Sequence, residues 1–112
     1  MVNQYSKIAE GKITNIPRFN TTDNVGKIFT VPLNLAFNPK RLFIVINPED
    51  ILKVADSMGE LLLNKKVKFT MRGNYIEFEI MMTELNAKQF KFKIAESPSY
   101  AYINCKKWLA IG

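Results

Sequence analysis

The sequence predicts a mostly β chain: an antiparallel β-sandwich with one short helix at about residues 48–58. Three observations carry this. Residues 66–82 alternate apolar and polar on both sides of Gly73-Asn74, the pattern of a two-residue hairpin. Leu42-Phe43-Ile44-Val45-Ile46 is apolar on both faces and sits between turn residues, which reads as a buried strand. Phe90, Phe92 and Ile94 alternate with Gln89, Lys91 and Lys93, which reads as a half-buried one. At 112 residues the chain is one domain, 1–112, with no linker and no internal repeat.

The other elements follow in chain order. Residues 7–16 alternate loosely around Gly11 and predict a strand with a bulge at the glycine. Residues 17–24 are rich in Pro, Asn, Thr and Asp and predict a surface loop. Residues 26–33 predict a strand in which Ile28, Val31 and Leu33 are apolar and Pro32 pushes its end towards a sheet edge. Asn38-Pro39-Lys40 is a turn before the strand at 41–47. The helix rests on Asn47 as a cap, Pro48 in the first turn, Glu49 and Asp50 at the positive end, and Ile51, Val54/Ala55 and Met58 at helical spacing. Leu61-Leu62-Leu63 fits either an extension of it or a new strand.

Folding at Gly73-Asn74 fixes a register: Met71 opposite Ile76, Phe69 opposite Phe78, and Val67 opposite Ile80. On the other face Thr70 lies opposite Glu77 and Lys68 opposite Glu79. A loop at 83–88 leads to the Phe90 strand, whose pairing would complete a Lys, Glu, Lys row across three strands. The last strand, 100–111, carries an irregularity near Lys106-Lys107, where the alternation loses phase.

Composition bounds the chemistry. The chain has no His and one Cys, so the usual general base, the usual metal ligand and any intramolecular disulfide are missing. Cys105 without a base reads as a small buried hydrophobe. Glu77 and Glu79 share a strand face opposite Lys and Thr rather than a cleft, which argues against paired-carboxylate hydrolysis. The glycines are scattered and form no phosphate loop. The expectation is a non-enzymatic protein with no catalytic residue, no cofactor and no metal. Met1-Val2-Asn3-Gln4-Tyr5 is not a signal sequence and no apolar run is long enough to span a bilayer, so no membrane role is expected.

The net charge is +6, concentrated outside the acidic 48–64 stretch. Lys66, Lys68 and Arg72, with Lys91 and Lys93, form a basic strand face that suits single-stranded nucleic acid, with Tyr75 available for stacking. The plainer reading is a solvated face neutralised by Glu77 and Glu79, since phosphate tracking needs uninterrupted positive charge. Nucleic acid is therefore not the expected partner. Tyr100 and Tyr102 alternate with Ala101 and Ile103, so one of the two sets faces outward. An outward tyrosine pair fits a protein interface, a sugar-stacking surface or the wet rim of the core equally well. The candidate surface residues are thus Tyr100, Tyr102, Lys66, Lys68 and Arg72.

Four stretches together resemble small β-sandwich modules of bacteriophage tail fibres and related virion proteins. These are Phe37-Asn38-Pro39-Lys40 before the apolar strand, Asn86-Ala87-Lys88-Gln89-Phe90-Lys91-Phe92, the early Ala9-Glu10-Gly11-Lys12-Ile13, and the closing Trp108-Leu109-Ala110-Ile111-Gly112. They cover roughly a third of the chain, and their order is more specific than any one of them. The resemblance implies an antiparallel sandwich, often trimeric, displayed on a virion for attachment or decoration. It transfers no binding site, because the matched residues are structural in type. The expected function is a virion structural protein made in a host bacterial cytoplasm, either a capsid decoration protein or a tail-associated module. It would dock on other virion proteins as a homo-oligomer, with a trimer the expected form. A carbohydrate- or receptor-binding tail-fibre-type module is the alternative, with a cell-surface glycan as partner, and a single-strand nucleic-acid binder is the second alternative.

Overall fold

A computed structural model describes residues 7–48, 55–71 and 76–112. They form nine strands: β1 (Ile8–Lys12), β2 (Phe19–Asn20), β3 (Ile28–Pro32), β4 (Arg41–Pro48), β5 (Ser57–Leu61), β6 (Lys66–Met71), β7 (Ile76–Leu85), β8 (Gln89–Glu96) and β9 (Tyr102–Ile111). The strands build two packed antiparallel sheets, a β-sandwich. One runs β1-β9-β4-β5, with the short β2 also on β9; the other runs β3-β8-β7-β6.

The expected hairpin register is the observed one: Met71 pairs with Ile76, Phe69 with Phe78 and Val67 with Ile80, while Thr70 faces Glu77 and Lys68 faces Glu79. Its turn, Gly73-Asn74, lies outside the described residues, as do Arg72 and Tyr75. Phe90, Phe92 and Ile94 are fully buried. The row across β6, β7 and β8 differs from the expected Lys, Glu, Lys. Extra residues at Thr83 and Ala95 shift the β7–β8 register, so Lys68, Glu79 and Glu96 fall in line. β7 also continues to Leu85, which shortens the expected 83–88 loop to three residues. There the Asn86 side-chain oxygen Oδ1 accepts the N–H groups of Lys88 and Gln89.

The helix expected at 48–58 is not present at either end. Pro48 closes β4, where it pairs with Ile103, and Ser57 and Met58 belong to β5, pairing with Ile46 and Val45. Residues 49–54 lie outside the described residues. The free edge of β4 satisfies its backbone by taking β5 as a neighbour, and that ladder overrides a helical spacing of only a few side chains. Leu61 ends β5 and is buried beneath the sheet.

β9 carries the predicted irregularity. Val45 pairs with Lys107 and Ile46 with Cys105, so Lys106 is an inserted residue. The insertion returns the strand to phase. Ile103 and Cys105 point into the core before it, and Trp108 and Ala110 point into the core after it. Phe19 bridges the sheets by stacking on Phe29 at 4.5 Å between centroids, and Phe29 stacks on Phe92 at 5.3 Å. Each fully buried Phe, Leu or Ile contributes roughly 1.5–3 kcal/mol by leaving water. β3 is an edge strand, as Pro32 required. Its inward residues are Phe29 and Val31, and Ile28 is exposed.

Gly11 shows no bulge; it pairs directly with Trp108. Its role is close approach, because a Cβ there would lie 2.7 Å from Trp108 Cζ2. Gly112 is similar, with the Phe37 ring occupying its side-chain space. Gly11→Ala is expected to overpack this contact and lower stability by about 1–3 kcal/mol. Urea unfolding followed by the fluorescence of Trp108 reads the loss directly.

Candidate docking surface

The segment before the last strand is braced by a polar latch. The Thr21 hydroxyl donates to the Ser99 carbonyl at 3.1 Å, and the Thr22 hydroxyl donates to the same oxygen at 3.2 Å. The Ser97 hydroxyl lies 2.7 Å from the Thr21 hydroxyl oxygen and 2.6 Å from the Ser99 carbonyl. The Thr21 N–H donates to the Ala101 carbonyl, and the Glu77 N–H donates to the Ser99 hydroxyl oxygen at 3.0 Å. This corrects the expected surface loop at 17–24: Phe19, Asn20 and Thr21 are buried, with Phe19 and Asn20 pairing to β9 as β2. A run of turn-forming polar residues looks exposed in sequence, but here the hydroxyls find partners some 75 residues away.

The latch sets the direction of the tyrosines. Ala101 and Ile103 face the core, so Tyr100 and Tyr102 face outward, 65% and 40% exposed. Their rings meet edge to face, with centroids 6.0 Å apart. The Arg18 guanidinium lies 4.6 Å over the Tyr102 ring, a cation–π contact the sequence reading did not include. Nothing local signals it, because Arg18 reaches Tyr102 only once β2 has paired with β9. The Tyr100 phenol is held above its ordinary pKa, first by hydrogen bonding with Tyr102, then by charge interaction with Tyr102, partial desolvation and the Asp23 carboxylate.

The basic candidates lie on β6, at the edge of the second sheet. Lys66 is paired with Glu96 at 2.9 Å, and Lys68 lies 3.7 Å from Glu77. Glu77 also holds Ser99, so β6 and the tyrosine corner are linked through one residue. Arg72 lies outside the described residues. Lys91 lies near Glu84, and Arg41 grips Glu60 through two bonds of 2.9 and 3.0 Å. Glu60 is held below the usual carboxylate range by its hydrogen bond from Arg41, and Glu96 by its hydrogen bond from Lys66. Cys105 is buried, and burial pushes its thiol up to about 12.

No known protein family, curated protein or solved structure matches the chain.

Two outcomes follow from these groups. Glu60 and Glu96 have folded pKa values below their unfolded ones, so their contribution is complete above about pH 4.3, the unfolded value, and is lost as pH falls through the depressed folded values. Thermal melting between about pH 6 and about pH 3 should show this decline, and Glu60→Gln should flatten it. Iodoacetamide should leave Cys105 unmodified in the native protein and alkylate it rapidly in denaturant, as mass spectrometry would record.

Proposed function

We propose that this chain is a non-enzymatic virion structural protein, a capsid decoration or tail-associated module, that docks on the particle surface through the Tyr100–Tyr102 corner. The observation that carries the reading is the exposed edge-to-face tyrosine pair with Arg18 stacked on it, held on a braced corner. Tyrosine and arginine are the residues enriched in interface centres, and a rigid aromatic anchor loses little entropy when a partner covers it. The motif resemblance supplies the virion context. Two of its motifs meet in space, since Phe37 packs against Gly112, and the other terminal pair meets where Trp108 covers Gly11. Assembly as a homo-oligomer, with a trimer the expected form, belongs to the same reading.

The alternatives fit the surface less well. Arg18 already occupies a face of Tyr102, which leaves less of the pair open for a sugar ring. Lys66 and Lys68 are drawn to acids of their own sheet, which leaves β6 a poor phosphate track.

The test is co-sedimentation of the purified chain with undecorated capsids and with tails. Binding to one of them is expected, and Tyr100→Ala with Tyr102→Ala should weaken it by about 2 kcal/mol or more. Co-sedimentation with neither particle would overturn the reading. Glycan-array binding lost on Tyr102→Ala would replace it with the carbohydrate alternative.

A further inference from the structure

A second feature lies on the far part of β9, away from the tyrosines. β1 stays paired with β9 as far as Lys12–Lys107, and the Ile13 N–H then donates to the Lys106 carbonyl. The chain next leaves this sheet, and the Asn15 side chain donates to the Thr30 carbonyl on β3. It returns as β2, pairing Phe19 with Ile103. Residues 104 and 105 therefore lie between two ladders, directly beside the inserted Lys106. The gap and the insertion together open a cleft of about 660 Å³, lined on its apolar side by Val45, Ile13 and Ile16. That volume falls within the range of small-molecule sites.

The polar lining is one-sided. Lys12, Lys106 and Lys107 are among the lining residues, and none of them is in an ion pair among the described residues. Elsewhere on the molecule Lys66, Lys68, Lys91 and Arg41 all have acidic neighbours. The cleft's carboxylate, Asp56, is instead bonded to the Asn47 amide at 2.6 Å. Three cationic residues lining one cleft, without acids paired to them, favour an anion there. Around them, Thr14, Asn104 and Asp56 offer the hydroxyl, amide and carboxylate groups that bind alcohols.

We propose that the cleft between β1, β4 and β9 binds a phosphorylated sugar or polyol, its phosphate held by Lys12, Lys106 and Lys107 and its hydroxyls by Asp56, Asn104 and Thr14. A cleft of this size suits one such unit better than a track along a nucleic acid, which needs an extended groove. The unit is either a free sugar phosphate or the end of a polyol-phosphate polymer. The site is independent of the tyrosine corner, and loss of one leaves the other intact.

Calorimetry and amide NMR on the full chain test this, with glucose 6-phosphate as the probe at low salt. Binding with a Kd on the order of 1 mM or tighter is expected, with glucose and inorganic phosphate each at least about tenfold weaker. Amide shifts should centre on Thr14, Asn104, Lys106 and Lys107. Lys106→Gln with Lys107→Gln should weaken binding by about tenfold or more, while the charge-matched control, Lys65→Gln with Lys88→Gln, should change it less than about twofold. Because the shift map uses the unaltered protein, it stands even if a variant folds poorly. Poly(glycerol phosphate) binding more tightly than glucose 6-phosphate would identify the polymer as the source; the reverse would identify the free ligand. The proposal is overturned by absent shifts, by shifts centred elsewhere, by inorganic phosphate binding as tightly, or by an oligothymidylate outcompeting the sugar phosphate at the same residues.

Discussion

The structure turns on a phase change within one strand. β9 pairs with β1, β2 and β4, so among the described residues it is the only strand in its sheet whose register three others must follow. A strand turns alternate residues to opposite faces, and β9 has inward residues at 103 and 105 but also at 108 and 110. Those positions cannot share a face without an added residue. Lys106 is that residue, and its insertion allows Trp108 to reach the core above Gly11 while Ile103 remains beneath β2. Had the strand run regularly, either Ile103 and Cys105 or Trp108 and Ala110 would face water.

The same insertion shapes the surface. It places two adjacent lysines outward where a regular strand would bury one of them, and it does so beside residues 104 and 105, which β1 and β2 leave uncovered. The cleft follows from that coincidence. At the other end of β9 the Thr21–Ser97–Ser99 latch orders the corner that turns Tyr100 and Tyr102 outward. Core packing thus sets the direction of each group, and local hydrogen bonds hold it there. The exposed ion pairs do less for stability, since pairs of this kind are worth about 0–1 kcal/mol each. Their consequence is electrostatic: paired lysines on β6 present little net field, and the lysines of the cleft present more.

The outer strands of the second sheet carry features that disfavour added strands. β6 places Lys66 and Lys68 along a free edge, and β3 ends in Pro32, whose ring nitrogen offers no donor. Both devices discourage unplanned strand addition. Contact through side chains at the tyrosine corner is consistent with such guarded edges, because it uses no backbone pairing.

By itself the sequence determined the sandwich class, the register of β6 on β7, the inward set of β8 and the place where β9 loses phase. Each is a period-two pattern read over neighbouring residues, and a one-residue slip would move a whole apolar set into water. Tertiary structure decided the rest. The helical spacing at 48–58 yielded at both ends to the ladder of β4, because an unpaired central strand costs more than a short helix gains. Within the polar 17–24 stretch, Phe19, Asn20 and Thr21 were buried, with a hydroxyl partner remote in sequence, and Arg18 met Tyr102 only through the β2–β9 pairing. Lys12 and the Lys106-Lys107 pair stand nearly a hundred residues apart, and only antiparallel pairing of the first strand with the last brings them to one cleft.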